Sequence, residues 1–239
     1  MEIQQQIDFN RERTTKEIFG DFWLFLQNEW KQLSFILAIG VLPFALIGAF
    51  FLNKGVTSFL ENLEMGSDMK LALLFSLLAK YIGVLLSTMY VQYYIDNKSI
   101  TINSVWDFIQ EKWWSALKAI ILMLLLVMLG FSLFYIPGFL VFPIAILIVF
   151  DVLFSSQLPT LSLIRCFTLV KTNWKQGYAV VYLTYIAVIF MSFLFSYLIP
   201  EGNTIAGYAV NAITTIIGEF SSIVFILLYF SLANQNKRL

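Results

Sequence analysis

The sequence predicts an all-α polytopic membrane protein. Six transmembrane helices are arranged as three repeated units, each an amphipathic interfacial helix plus a transmembrane hairpin, with N and C termini cytoplasmic. Three observations lead there. The chain is 59% hydrophobic and 17% aromatic but only 13% charged, more apolar surface than a soluble chain of 239 residues can bury. Six apolar stretches approach the roughly 20 helical residues that cross a hydrocarbon layer of about 30 Å. Finally, Trp30, Trp113 and Trp174 each close a short amphipathic segment and open an apolar one.

Read back from those tryptophans, the three segments align. The first holds Phe19, Trp23, Leu26 and Trp30, the second Ile102, Trp106, Ile109 and Trp113, and the third Leu163, Phe167, Val170 and Trp174. These spacings put each set on one helical face. Charged and polar residues flank them: Asp21, Asn28, Glu29 and Lys31; Asp107, Gln110, Glu111 and Lys112; Arg165, Lys171, Thr172 and Asn173. Such a pattern is that of a helix lying at the membrane–water interface, with Trp23, Trp30, Trp106, Trp113, Trp114 and Trp174 as its anchors. The whole chain, 1–239, reads as a single membrane domain with repeat units at about 14–95, 99–153 and 160–232, like-oriented around the membrane normal.

The spans are expected at about 33–52, 71–95, 116–135, 138–153, 178–199 and 205–232. In the fourth and shortest, Pro137-Gly138 and Pro143 predict a break or tilt. Outer loops are expected at about 53–70, at a Tyr135–Gly138 turn and at Pro200–Thr204. Orientation follows from the basic residues. Arg11, Arg13, Lys16, Lys31, Lys98, Lys112, Lys118, Arg165, Lys171, Lys175, Lys237 and Arg238 fall on one side. Only Lys54 and Lys70 fall on the other, and Lys80 lies within a span. That bias places the richer side in the cytoplasm. The first ~30 residues carry acids and aromatics instead of a basic start and short apolar run, so no cleavable signal is expected.

Composition also excludes chemistry. With no histidine, the commonest metal ligand and the usual proton-transfer group near neutral pH are missing. The single cysteine, Cys166, permits no internal disulfide, cysteine metal cluster or redox pair. No Gly-rich nucleotide loop and no GxSxG elbow occur. The loop acids Glu61, Glu64, Asp68, Asp96, Asp107 and Glu111 are scattered, without the close clusters that hold Mg²⁺. Net charge is zero with no basic patch, so nucleic acid is not an expected partner. Neither catalysis, cofactor, metal nor nucleotide is expected.

One region resembles a known family. The stretch Ile136-Pro137-Gly138 through Asp151, then Leu161, Ser162, Arg165, Leu169 and Asn173-Trp174, is similar to a broad group of bacterial six-span membrane proteins. That group includes the membrane domain attached to some glycerophosphodiester phosphodiesterases and the YciC-like uncharacterised proteins. The shared pattern is a Pro-Gly turn, an apolar span closing on an acid, and an amphipathic helix ending in Trp. The resemblance covers residues 130–190 or so. Here the acid is Asp151 where Glu is frequent, Cys166 stands where Ser is usual, and no attached phosphodiesterase domain is expected. The resemblance implies a six-span fold in a bacterial inner (cytoplasmic) membrane, and no reaction.

Ionisable groups inside spans are costly unless paired or hydrated, and two lie deep: Lys80 in span 2 and Glu219 in span 6. Ser76, Lys80, Gly83 and Ser87 share one face, as do Asn211, Thr215, Gly218, Glu219 and Ser222. Counted from the outer ends, Lys80 lies about 13 Å deep and Glu219 about 20 Å. The two stripes are expected to face each other. Such a pair either fastens helices together or forms part of a relay or polar track. Asp151 and Arg165 form a second candidate pair, as an ion pair fixing the third interfacial helix or a docking point for a cytoplasmic partner or anionic lipid. Tyr178, Tyr182 and Tyr185 are read as a continuation of the aromatic belt.

The sequence thus leads to a non-catalytic accessory or scaffold subunit of a larger membrane complex, in secretion, membrane insertion or envelope transport. Membrane lipids and one or more membrane proteins are its expected partners. The alternative is a lipid-handling protein or small transporter with a polar intramembrane groove.

Overall fold

The computed structural model describes residues 7–62, 66–133, 135–197 and 204–236. Among these, every regular element is helical. The order is α1 Thr15–Asn62, α2 Ser67–Ile95, α3 Ile102–Leu133, α4 Tyr135–Ser155, α5 Pro159–Thr172, α6 Trp174–Tyr197 and α7 Thr204–Asn236. All but α5 contain a stretch long and apolar enough to cross a membrane, which makes a multi-pass membrane protein of the chain.

The helix starts are written locally. Before α1, the Thr14 hydroxyl accepts from the Glu17 N–H at 3.3 Å, and Glu17 accepts from the Thr14 N–H at 2.6 Å, a reciprocal capping box. Thr101 and Ser104 make the same exchange ahead of α3, at 2.9 and 3.2 Å. α2 is followed by Asn97 and α4 by Ser156, both in the left-handed region that closes helices.

Several segments differ from the sequence reading. No Gly or Pro separates the first two amphipathic segments from the spans that follow, and the helix runs through both, in α1 and α3. Only the third is a helix apart, α5, opened by Pro159 and closed at Asn173, whose ψ of 48° leaves the helical region. The expected outer loop at 53–70 is helical at 53–62 and 67–70, and Pro200–Thr204 falls mostly outside the described residues. The expected Tyr135–Gly138 turn is also helical, with Pro137 in the first turn of α4 where its missing N–H costs no hydrogen bond. Nor is α4 broken at Pro143, for a reason given below.

The described residues group into two compact units. The first takes in Met1–Trp30, Thr88–Tyr185 and Ser222–Leu239; the second Lys31–Ser87 and Ile186–Ser221. In the first unit α4 is buried on nearly every face from Ile144 to Leu153, as is α7 from Ser222 to Tyr229. Helices apolar all round are the ones that sit inside a bundle. In the second unit the buried stripe of α1 is Leu33, Leu37, Val41 and Ala45, at four-residue spacing. α3 and α6 are the opposite case, with most of their apolar residues facing outward.

Candidate functional site

The second unit brings Lys80 of α2 and Glu219 of α7 together, Nζ to Oε1 at 2.9 Å. Two glycines make room. A Cβ on Gly83 would lie 2.3 Å from the Glu219 carboxyl carbon, and one on Gly218 would lie 3.1 Å from Lys80 Nζ. Each charged group therefore rests over a glycine of the opposite helix. The partners differ in exposure: the Lys80 side chain is 54% exposed and that of Glu219 1%. Neither Glu219 oxygen has an aligned hydrogen-bond donor. Along the same α7 stripe, the Thr215 hydroxyl donates to the Asn211 carbonyl at 2.8 Å, within its own helix.

Asp151 and Arg165 meet in the first unit. Arg165 Nη1 lies 3.0 Å from Asp151 Oδ1, and the Tyr229 hydroxyl donates to the same oxygen at 2.9 Å. Asp151 is fully buried, and its Oδ2 has no hydrogen-bond donor. This one carboxylate ties α4 to both α5 and α7. Cys166 is buried beside it, and burial, reinforced by the Asp151 charge, pushes its thiol well above the ordinary value. Arg165 also opens onto a cleft of ≈300 Å³ with Thr168, Leu169, Ala233 and Asn236.

A larger polar node lies in the same unit and went unread in the sequence. Arg13 is buried, its Nε 2.7 Å from Asp21 Oδ2. Three further donors go to the carbonyls of Asp8, Phe9 and Arg11. The Arg13 N–H donates to Ser231 Oγ at 3.0 Å, and the Arg13 carbonyl accepts from Gln176. Arg11 adds a second guanidinium to Asp21 at 2.8 Å, and that hydrogen bond lifts its pKa above the ordinary value. Phe9 packs edge-on to Phe25, Tyr94 and Phe230. The segment before α1 is thus pinned to α1, α2, α6 and α7. The available signals were the Thr14-x-x-Glu17 box and the apolar Ile7 and Phe9 among charges.

Tyr178 and Tyr182 also do more than extend a belt. Pro143 cannot donate to the Phe139 carbonyl four residues back. The Tyr182 hydroxyl donates to that carbonyl, and Tyr178 to that of Leu140 at 2.6 Å. α4 can therefore continue through a proline because Tyr182 of α6 supplies the missing donor, with Tyr178 adding a bond one residue on. Tyr185 stacks on Phe225 at 5.7 Å.

Trp23, Trp30, Trp106, Trp114 and Trp174 are all more than half exposed, and Trp113 is half-buried. The inward faces of their segments carry Ile18, Asp21 and Phe25; Phe108, Lys112 and Ala116; and Ser162, Cys166 and Leu169. Lys112 is held by Glu111 at 3.0 Å and Ser156 at 2.7 Å. Among the described residues, no group of three or more Asp, Glu, Cys or His converges as a metal site. Comparisons of the chain with protein families, with curated proteins and with solved structures find no match.

Proposed function

We propose that this chain is a non-catalytic accessory or scaffold subunit of a larger membrane assembly in a bacterial inner membrane. Both termini lie in the cytoplasm, and the tryptophan stripes sit at the interface. Secretion, membrane insertion or envelope transport would be fitting hosts. The carrying observation is how charge is used inside the protein. Each described buried charged residue (Arg13, Asp21, Lys112, Asp151 and Glu219) is ion-paired within the chain. α3 and α6 meanwhile turn most of their apolar surface outward. Charge fastens helices here, and the outward surface is left for lipid and for neighbouring membrane proteins.

The test is native purification of the tagged full chain from its own membranes, with mass spectrometry of what accompanies it. A stoichiometric membrane protein is the expected result. A solitary protein carrying one enriched lipid would overturn the reading in favour of a lipid-handling protein or small transporter. The half-exposed Lys80 ammonium is the observation that favours this second reading. It predicts that Lys80→Met or Glu219→Gln abolishes activity while leaving the fold intact.

A further inference from the structure

The cleft beside Arg165 lies where spans of the first unit end. The stretch able to cross a membrane in α4 ends at Ser155, the one in α6 begins at Trp174, and the one in α7 ends at Asn236. α5 links the first two and, with the last turn of α7, lines the cleft through Arg165, Thr168, Leu169, Ala233 and Asn236. Its depth is that of a membrane surface. The exposed side chains of this segment agree. Leu158, Leu161, Ile164 and Phe167 are each more than half exposed, whereas Thr168, Lys171 and Thr172 are the exposed residues of the last turns of α5. Exposed groups that pass from apolar to polar along a helix mark the boundary between acyl chains and headgroups.

One face of α5 crosses that boundary into the cleft. Leu161, Arg165 and Thr168 share it by their spacing, with Leu158 just ahead of the helix. A guanidinium carries five donors in a planar fork that matches two phosphate oxygens. The ion pair with Asp151 engages Nη1 at 3.0 Å, and the Arg165 side chain is still 38% exposed. Asp151 is itself fully buried and also accepts from Tyr229, so it holds the guanidinium from the protein interior. Charge along this part of the chain is one-sided. Between Asp151 and Glu201 there is no acid but three cations, Arg165, Lys171 and Lys175, and both lysines are exposed. The last described turn of α7, Ala233–Asn236, carries no charge. Leu169 and Ala233 give the cleft an apolar wall. What fits is an anion on an apolar body.

We infer that the Arg165 cleft binds the headgroup of a membrane glycerophospholipid. The phosphodiester sits on the Arg165 guanidinium, the glyceryl ester region lies against Leu169 and Ala233, and the acyl chains follow Leu161 and Leu158 into the bilayer. The inference goes beyond the subunit reading: a held lipid can accompany a stoichiometric protein partner, and its loss would leave that reading standing.

The test is native mass spectrometry of the purified full chain in mild detergent, titrated with dioleoyl phosphatidylglycerol and, as a phosphate-free control, with dioleoylglycerol. The expected result is one phosphatidylglycerol retained per chain and at least tenfold less diacylglycerol. Ala233→Leu fills the cleft without removing either partner of the ion pair and should lower retention at least tenfold. Arg165→Lys keeps the charge but loses the fork, and should lower it at least threefold. Where Ala233→Leu alters the elution profile, Asn236→Leu, which also fills the cleft, takes its place with the same expectation. Equal retention of the two lipids, or retention that no cleft variant lowers, means lipid held only as a general annulus and overturns the site. Displacement of the lipid by an equal concentration of glycerol 3-phosphate would assign the cleft to a soluble phosphate and overturn it as well.

Discussion

Arg13 in the first unit and Lys80 in the second are both cations paired to a carboxylate, yet they are held in opposite ways. Arg13 has its whole side chain out of reach of solvent, with Asp21 and three carbonyls taking four of its five donors. Lys80 has, among the described residues, one carboxylate partner, Glu219, and a side chain about half exposed. A buried group held at several points by its own chain is a fastener. A half-exposed group held by one carboxylate is anchored at a single point.

Removing the fastener should have the largest effect. Arg13→Ala withdraws four side-chain partners and frees the segment around Phe9, and loss of one side of a buried pair costs about 3–5 kcal/mol. Denaturant titration in mixed micelles should show a loss of that size. A change below about 1 kcal/mol would mean that the segment before α1 is only loosely attached, and the contrast would collapse.

The Lys80 pair should behave differently. Lys80→Met strands a buried carboxylate and should cost about 2–3 kcal/mol, whereas adding Glu219→Gln should recover most of it, because replacing both partners removes the penalty. A double-mutant cycle measures the coupling. If the double variant is as unstable as the single, the pair is a structural fastener like Arg13 and the distinction is lost.

The glycines under that pair sharpen the contrast further. At Gly83 a methyl would collide with the carboxyl of Glu219 at 2.3 Å, while at Gly218 it meets only the flexible end of Lys80 at 3.1 Å. Gly83→Ala should therefore cost about 1–2 kcal/mol and Gly218→Ala under about 1 kcal/mol. Thermal unfolding in detergent separates them, and equal effects would mean that the carboxyl can move aside.

How far this was legible in the sequence depends on local contrast. Lys80 and Glu219 stand out because each interrupts an apolar run, and the six apolar stretches stand out for the same reason. Arg13 sits among charges, where a buried arginine and a solvated one are written alike. What buries it is a long-range meeting with Ser231 and Gln176, for which sequence carries no mark. Helix continuity failed in another way. The tryptophan stripes describe which face looks outward, not where a helix stops, so only Pro159 and Asn173 produce a separate element.

Pro143 shows the same limit on the smallest energy scale. The sequence predicts a break or tilt there, because a proline inside a helix orphans a carbonyl. In the structure Tyr182 donates to that carbonyl, of Phe139, from another helix. One neutral hydrogen bond contributes about 1 kcal/mol net, so Tyr182→Phe should cost about that much. Pro143→Ala returns the backbone donor, and in that background Tyr182→Phe should cost less than half as much. The pair of unfolding curves decides whether the tyrosine answers the proline. Equal losses in both backgrounds would leave Tyr182 an ordinary packing residue and α4 continuous for some other reason.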